Sequence, residues 1–182
     1  MTAFISAGHN PKGIKVDPGA VSNGYTEAAL AVEFRNLVVS ELLKRKVKVI
    51  NDSDDERLAD YLKRIQTGSG SVVLEFHFDA AVSSAATGTT ALIGNDADRL
   101  DKGFAKELVE STSTILGIKN RGVLSEKDSH RGSLGLMHEQ GIVSLLELCF
   151  ISNPDDLKKY HANKKILAIK IAEVVERYEN MI

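Results

Sequence analysis

The stretch that decides the fold is residues 141–153, "GIVSLLELCFISN". It is apolar at successive positions, which is typical of a strand covered on both faces in a parallel sheet. Glu147 is its only charged residue, between Leu146 and Leu148. A bare anion is costly in such surroundings, so we expect the pKa of Glu147 to rise unless a cation compensates the charge. The stretch therefore predicts both a central strand and a carboxylate able to exchange a proton near neutral pH.

Four other apolar runs predict the rest of the sheet, and they alternate with longer helical patterns. Such alternation is typical of βαβ units and of a largely parallel sheet, and hence of the α/β class. We interpret "GSGS" at 68–71 and "AAVSSAATG" at 80–88 as loops. The predicted strands are "TAFISAGH" at 2–9, "VKVIND" at 47–52, "VVLEFHF" at 72–78 and "GTTALIG" at 88–94.

Five helical segments are predicted. Thr26 is the N-cap of the first, and Ser53–Glu56 has the form of a capping box that opens the second. Gly117 ends the third, a short helix follows Pro154, and a long helix begins near Asn163. The residues expected to face inward are Leu30, Phe34, Leu37, Val38 and Leu42 in the first helix, Leu58, Leu62 and Ile65 in the second, Leu100, Phe104, Leu108 and Ile115 in the third, and Ile166, Ile169, Ala172 and Val175 in the last.

The composition is that of an ordinary soluble protein. The 182 residues carry a formal net charge of -2, without the basic excess that nucleic acid or an anionic membrane surface attracts. We therefore expect no nucleic-acid partner, no membrane insertion, one domain over residues 1–182 and a monomer. The single cysteine, Cys149, excludes an intrachain disulfide and is best interpreted as a small buried side chain. No secretory signal is visible at the N-terminus.

Four polar residues are expected to meet at one edge of the sheet. His9 closes the first strand, His77 lies at the end of the third, and Glu147 lies in the last. Sites in open α/β sheets lie beyond the carboxyl ends of the strands. Glu27 precedes Leu30 by three residues, which places it on the inward stripe of the first helix.

These residue types point to metal-assisted hydrolysis. Two histidines and one carboxylate form a common catalytic zinc set that leaves a position for water. The metal lowers the pKa of water and polarises a carbonyl, and a second carboxylate moves the proton to a leaving amine. We hypothesise that Glu147 is this second carboxylate.

Other interpretations remain open at this stage. Glu27 could complement the helix dipole, and Glu147 could pair with Arg121 or Arg131. Strand alternation puts Glu75 and Asp79 on the face of His77, where either could orient the ring or replace a ligand. The remaining histidines, which we expect to be solvated rather than ligating, are His130, His138 and His161.

Three motifs, in this order, resemble the zinc-dependent N-acetylmuramoyl-L-alanine amidases of bacterial cell-wall hydrolases and phage endolysins. "ISAGHNPKGIKVDPGAVSNGYTE" at 5–27 resembles the family's opening strand, zinc histidine, Asp-x-Gly-Ala loop and zinc glutamate. "LEFHFDA" at 74–80 is similar to its second histidine strand, and "SLLELCFISNPDD" at 144–156 to its closing strand. The resemblance runs from about Phe4 to the final helix.

The resemblance implies one Zn²⁺ ion held by His9, Glu27 and His77, with Glu147 as the catalytic carboxylate. It implies hydrolysis of the amide between N-acetylmuramic acid and L-alanine in peptidoglycan. It also implies a single catalytic α/β domain with a mainly parallel, twisted, six-stranded sheet flanked by helices, of the phosphorylase/hydrolase-like type. The alternatives are a zinc peptidase that cuts within the stem peptide and a non-catalytic wall-binding module.

The sequence departs from the family pattern at a few positions. Asn10 and Cys149 stand where glycine is usual, and Cys149 could crowd the site. Glu75 and Asp79 flank His77 at positions where small or neutral residues are common. The short segment after the second histidine strand leaves no room for a blocking helix, so we expect an open groove. The lack of a visible export signal suits a phage lysin made in the host cytoplasm and released through a holin to reach the wall. It also suits a catalytic domain excised from a longer enzyme.

Overall fold

The computed structural model describes residues 2–13, 15–65, 71–129 and 133–181. Its strands are β1 (Thr2–Ala7), β2 (Val21–Ser22), β3 (Tyr25–Thr26), β4 (Lys48–Asn51), β5 (Val72–Asp79), β6 (Thr89–Ile93), β7 (Asn120–Ser125) and β8 (Ile142–Phe150). Its helices are α1 (Glu27–Lys44), α2 (Leu58–Leu62), α3 (Arg99–Leu116) and α4 (Pro154–Glu179), with short 3₁₀ turns at Glu126–Asp128 and Gly135–His138. Most of the "GSGS" segment, together with His130 and Arg131, lies outside the described residues.

Six strands form one mainly parallel sheet in the order β4-β1-β5-β8-β6-β7. The four strands from β4 to β8 are parallel, β6 runs antiparallel to β8, and β7 is parallel to β6. β2 and β3 form a separate hairpin. The α/β class and the six-stranded, mostly parallel sheet flanked by helices are therefore confirmed.

The two faces of the sheet are covered unequally. Side chains from α1, α3 and α4 join one face of the sheet in the large apolar core, which includes Phe34, Phe76, Leu108 and Ile171. The other face carries a smaller apolar cluster around Phe4, with α2 and the turn at Gly135–His138 above it. No helix in the described ranges has an apolar stretch long enough to cross a bilayer.

Local sequence explains where the long helices begin and end. The Thr26 hydroxyl accepts a bond from the Ala29 amide, so the predicted N-cap of α1 is confirmed. Asp98 and Asp101 form a capping box at the start of α3, and Gly117 ends it with a left-handed backbone, φ 62°. The Asn153 side chain caps α4 by accepting bonds from the amides of Asp155 and Asp156.

Three predictions of secondary structure are wrong. The strand β7 was not anticipated, because its half-exposed sequence "NRGVLS" lacks an apolar run. Glu56 does accept a bond from the Ser53 amide, yet α2 begins only at Leu58, which is 44% exposed. The short helix predicted after Pro154 and the long helix predicted near Asn163 form one continuous helix, α4.

The continuous helix α4 also has a different inward face from the one predicted. Ile166 and Ile169 are 59% and 40% exposed, while Ala172 and Val175 are buried as expected. The buried stripe begins earlier, at Leu157 and Tyr160. The helix is capped by Asn153, ten residues before the predicted start near Asn163.

A β-bulge lies between β5 and β8, immediately beyond Glu147. His77 pairs with Glu147, but Asp79 pairs with Phe150, so β8 contains one extra residue there. Because the bulge shifts the alternation, Cys149 lies in the large helix-covered core and is 0% exposed. The expectation that Cys149 crowds the site is therefore wrong.

Candidate active site

Two adjacent strands bring the two histidines together. Beyond β1, the Gly8 amide donates to the Phe76 carbonyl at 2.8 Å, which extends the pairing with β5 up to His9. His9 has a left-handed backbone, φ 67°, so the chain turns sharply at this residue. The rings of His9 and His77 meet edge to face with centroids 5.1 Å apart.

Glu27 lies between the two rings. As the first residue of α1 it is held by the preceding loop, because its amide donates to the Ala20 carbonyl and its Oε2 accepts from the Ala20 amide at 2.9 Å. Glu27 Oε2 is 3.2 Å from His9 Nε2, and Glu27 Oε1 is 2.8 Å from His77 Nδ1. One ligand atom from each of the three residues lies within 4.8 Å of the others. The predicted group of His9, Glu27 and His77 is therefore assembled.

A second carboxylate contacts the outer nitrogen of each ring. Asp17 Oδ2 is 2.9 Å from His9 Nδ1, and Glu75 Oε1 is 3.0 Å from His77 Nε2. Asp17 reaches His9 because the backbones of Asn10 and Asp17 exchange two hydrogen bonds of 2.9 Å. Strand alternation is the signal in the sequence for Glu75, whereas the pairing that brings Asp17 back depends on the loop conformation.

Two glycines allow these close approaches. The position of a Cβ on Gly8 would overlap the ring of His77. A Cβ on Gly19 would lie 2.6 Å from His9 Cδ2 and 2.7 Å from Glu27 Oε2, and the φ of Gly19 is 62°. Larger residues at either position would displace the rings. Sequence reasoning included Gly19 only as part of the Asp-x-Gly-Ala loop and did not single out Gly8.

The hydrogen bonds shift the proton affinities of the group. Burial lowers the pKa of His77, but bonds to Glu27 and Glu75 outweigh burial and raise the pKa to about 10. Burial likewise opposes the shift of His9, whose pKa is raised by Glu27 and Asp17. Burial raises the pKa of Glu27, yet the two histidines hold it well below its usual range. Contact between the acid and the two rings therefore raises the pKa of each histidine and lowers the pKa of Glu27.

Glu147 is next to this group in the adjacent strand. It is paired in register with His77 on one side and with Thr90 on the other, and it is 2% exposed. Its charge contributes to raising the pKa of His77. Arg121, one of the two proposed ion-pair partners, places its guanidinium 5.1 Å from the Phe150 ring centroid. Arg131, the other partner, lies outside the described residues.

Cavities flank the group on both sides. One of about 450 Å³ borders Glu147 and is walled by Asp79, Lys119, Arg121 and Asp128. Another, of about 500 Å³, borders His9 and His77 and extends to Arg57 and Tyr61. The loop at 80–88 contains no helix, as predicted.

The other candidate residues lie elsewhere. Asp79 accepts a bond from the amide of its neighbour Ala80 and lines the cavity beside Glu147. His138 Nε2 is 2.9 Å from Ser133 Oγ on the surface. His161 is partly exposed, and its ring packs against Tyr25 and Tyr160. Within the ranges described, the group of three is the one that satisfies metal-ligand spacing.

A family model described as N-acetylmuramoyl-L-alanine amidase matches residues 4–177. This chain belongs to the N-acetylmuramoyl-L-alanine amidase family. Among curated proteins, none matches the sequence. The resemblance seen in the three sequence motifs is thus confirmed at the level of the family.

Solved structures of amidases share the fold. An N-acetylmuramoyl-L-alanine amidase from Clostridium difficile 630 has a TM-score of 0.79 at 21% identity and covers 99% of this chain and 97% of its own. A Neisseria meningitidis protein described as an amidase of this kind has a TM-score of 0.77 at 28% identity, with coverages of 97% and 94%. The catalytic domain of the CD27L endolysin, which targets Clostridium difficile, has a TM-score of 0.75 at 18% identity and covers 97% of each chain.

Proposed function

We propose that this amidase-family protein is a zinc hydrolase that cleaves the amide between the lactyl group of N-acetylmuramic acid and L-alanine in peptidoglycan. The observation that carries the proposal is the convergence of His9, Glu27 and His77 beside a further buried carboxylate, Glu147. Family membership supports an amide of peptidoglycan as the substrate. We also propose that residues 1–182 act as a single catalytic domain on the bacterial cell wall, in the manner of the endolysin domain that shares its fold.

The chemistry of the donor set fits zinc. Two imidazoles and one carboxylate are a common set in catalytic zinc sites, and the other nitrogen of each imidazole has a carboxylate partner, as zinc-bound histidines usually do. His9 would bind through Nε2, His77 through Nδ1 and Glu27 through its carboxylate. When bound, zinc supplies a water of lowered pKa and polarises the scissile carbonyl.

Glu147 carries the proton in this proposal. Its carboxylate accepts a proton from the attacking water and delivers it to the amine nitrogen as the C–N bond breaks, which leaves a lactyl carboxylate and the free amino group of L-alanine.

The position of Glu147 also orients the substrate. The group that protonates the leaving amine must lie beside that amine. The stem peptide, which carries the amine, therefore extends into the cavity next to Glu147. There Lys119 and Arg121 face the carboxylates of the stem peptide. The muramyl side then extends across His9 toward the cavity at Tyr61.

Mass spectrometry of digested peptidoglycan tests the reaction. Intact glycan strands together with peptides bearing free N-terminal L-alanine are the expected products. Cleavage between amino acids would identify a stem-peptide peptidase instead. Binding to purified walls without turnover in excess zinc would identify a wall-binding module.

Elemental analysis tests the metal. His77→Ala should lower zinc occupancy, because it removes one of three ligands. The matched control is His138→Ala, which changes a surface histidine and should keep full occupancy. Equal occupancy in both variants would contradict the assignment of His77.

A further inference from the structure

We propose that Glu75, held by Ser6, is a positioning residue that fixes the His77 ring with its proton on Nε2 and its lone pair on Nδ1 toward the metal. The inference deepens the proposed function and rests on a metal bound by His9, Glu27 and His77. It assigns a role to a carboxylate that the sequence leaves open as either a ligand or an orienting group.

The contacts use both oxygens of Glu75. Oε1 is 3.0 Å from His77 Nε2, and Oε2 accepts a hydrogen bond from the Ser6 hydroxyl at 3.0 Å. Ser6 and Glu75 are register partners on β1 and β5. The Ser6 bond therefore joins two neighbouring strands in the middle of the sheet, and the bond to His77 lies within β5 itself. Glu75 is thus supported by rigid sheet structure.

The arrangement makes Glu75 a partner of the ring rather than a ligand. Glu27 contacts Nδ1 of the same ring at 2.8 Å, so the two carboxylates face different ring nitrogens. A carboxylate acceptor at Nε2 favours the tautomer protonated there and leaves Nδ1 free to bind a metal. The residues with metal-ligand spacing are His9, Glu27 and His77, without Glu75.

Burial indicates that the contact is specific. Ser6, Glu75 and His77 are 1%, 5% and 7% exposed, and an anion buried to this degree is stable only with charge-assisted partners. Asp17 contacts His9 similarly, but its side chain is 57% exposed. Glu75 is therefore the orienting carboxylate that the fold constrains more strongly.

Zinc affinity of the metal-free protein, measured by competition with a chromophoric chelator, tests the proposal. Glu75→Gln replaces the carboxylate by a neutral amide of the same shape, and we expect a loss of about 10- to 100-fold in affinity. Ser6→Ala should lose affinity by a smaller factor. The matched control is Glu179→Gln. Glu179 is another buried glutamate, and it accepts a bond from the Val72 amide at the opposite end of β5. The zinc affinity of this control variant should equal that of the wild type.

Two spectroscopic measurements separate positioning from ligation. In the zinc-loaded wild type, long-range ¹H–¹⁵N spectra should show the His77 ring protonated at Nε2. In the cobalt-substituted protein, Glu75→Gln should keep the coordination number of the wild type. A lower coordination number would make Glu75 a ligand and overturn the proposal.

The outcomes also separate this proposal from the proposed function. A wild type that binds no stoichiometric zinc defeats the metal centre itself. A zinc-binding wild type whose affinity is matched by Glu75→Gln defeats only the role of Glu75. If Glu75→Gln does not fold, Ser6→Ala decides, and unchanged affinity in that variant overturns the proposal.

Discussion

At the scale of single residues, Glu147 has a defined place between a histidine and a threonine on the neighbouring strands. We predict that Glu147→Gln keeps zinc but lowers turnover by about 10²- to 10⁴-fold, because the ligands remain and the proton carrier is lost. Turnover is measured on peptidoglycan and zinc by elemental analysis. Glu110→Gln, on the exposed face of α3, is the control. Near wild-type turnover of Glu147→Gln would refute the role assigned to it.

Zinc binding should depend on pH through His77. Its pKa is raised to about 10 in the metal-free protein, so its ring holds a proton at neutral pH that the metal must displace. The apparent affinity should therefore rise roughly tenfold per pH unit between about pH 6 and 8 for each proton released. Calorimetry in two buffers with different ionisation enthalpies counts these protons. An affinity independent of pH over this interval would contradict the prediction.

The same shift fixes the sign of the stability change in the metal-free protein. The raised pKa of His77 stabilises the folded protein fully at any pH below 6.5, the ordinary pKa of histidine. This stabilisation is lost as the pH rises through about 10, the raised pKa of His77. Thermal unfolding of the metal-free protein should thus move to lower temperature as the pH rises through this interval.

The sequence predicted which residues converge at the candidate site, but it did not predict the residues that support them. His9, His77 and Glu147 could be predicted because strand ends in a parallel sheet share one edge, and Glu27 because helix periodicity gave its direction. The contact of Asp17 with His9 depends on a loop whose ends are joined by two backbone bonds between Asn10 and Asp17. Local patterns do not encode such closure.

At the scale of elements, the spacing between β1 and β5 decides whether the His77 ring fits. We predict that Gly8→Ala reduces zinc affinity by at least tenfold, because the new methyl group occupies the space of the ring. Chelator competition measures the affinity, and chemical denaturation measures the stability. Gly24→Ala is the control. The φ of 79° at this position strains an alanine, but the added methyl group would meet no atom within 4 Å. This variant should therefore lose stability without losing zinc affinity.

A buried ion pair joins α1 to the end of β4. Arg35 lies 2.6 Å from Asp52, which also accepts from the Ala7 amide, and both side chains are buried. We predict that Arg35→Met lowers the free energy of unfolding by about 3–5 kcal/mol, because Asp52 becomes an uncompensated buried charge.

Urea denaturation checks this value. Lys44→Met removes an exposed partner of Glu41, and it should cost less than about 1 kcal/mol. Equal losses of unfolding free energy in the two variants would show that the buried ion pair contributes no more to stability than the exposed one.

Five of the six strands of the main sheet were predicted because buried strands have apolar runs. The sixth, β7, is an edge strand with four of its six residues polar or glycine, which resembles a loop. In α4 the sequence allowed two helical registers, and packing on α1 and α3 selected the one that exposes Ile166. Tertiary contacts thus decided what periodicity left ambiguous.

At the scale of the whole molecule, the site lies between two cavities that are lined by different residues. If the stem peptide occupies the cavity beside Glu147, Arg121→Glu should raise the KM for a muramyl peptide by about tenfold with little change in kcat, since it reverses a charge facing the peptide. Arg57→Glu, in the cavity on the other side, should leave the KM unchanged. The reverse pattern would invert the proposed orientation of the substrate.

The large core that α1, α3 and α4 build over the sheet encloses the chain's only cysteine, Cys149. Burial raises the pKa of its thiol well above the ordinary value, so it offers almost no thiolate to alkylating reagents. A cysteine introduced at Ile166, on the outer surface of α4, would be the single reactive handle for a fluorophore. The native protein is therefore ready for site-specific labelling, and its arrival on intact bacteria could be followed by microscopy without first removing a thiol.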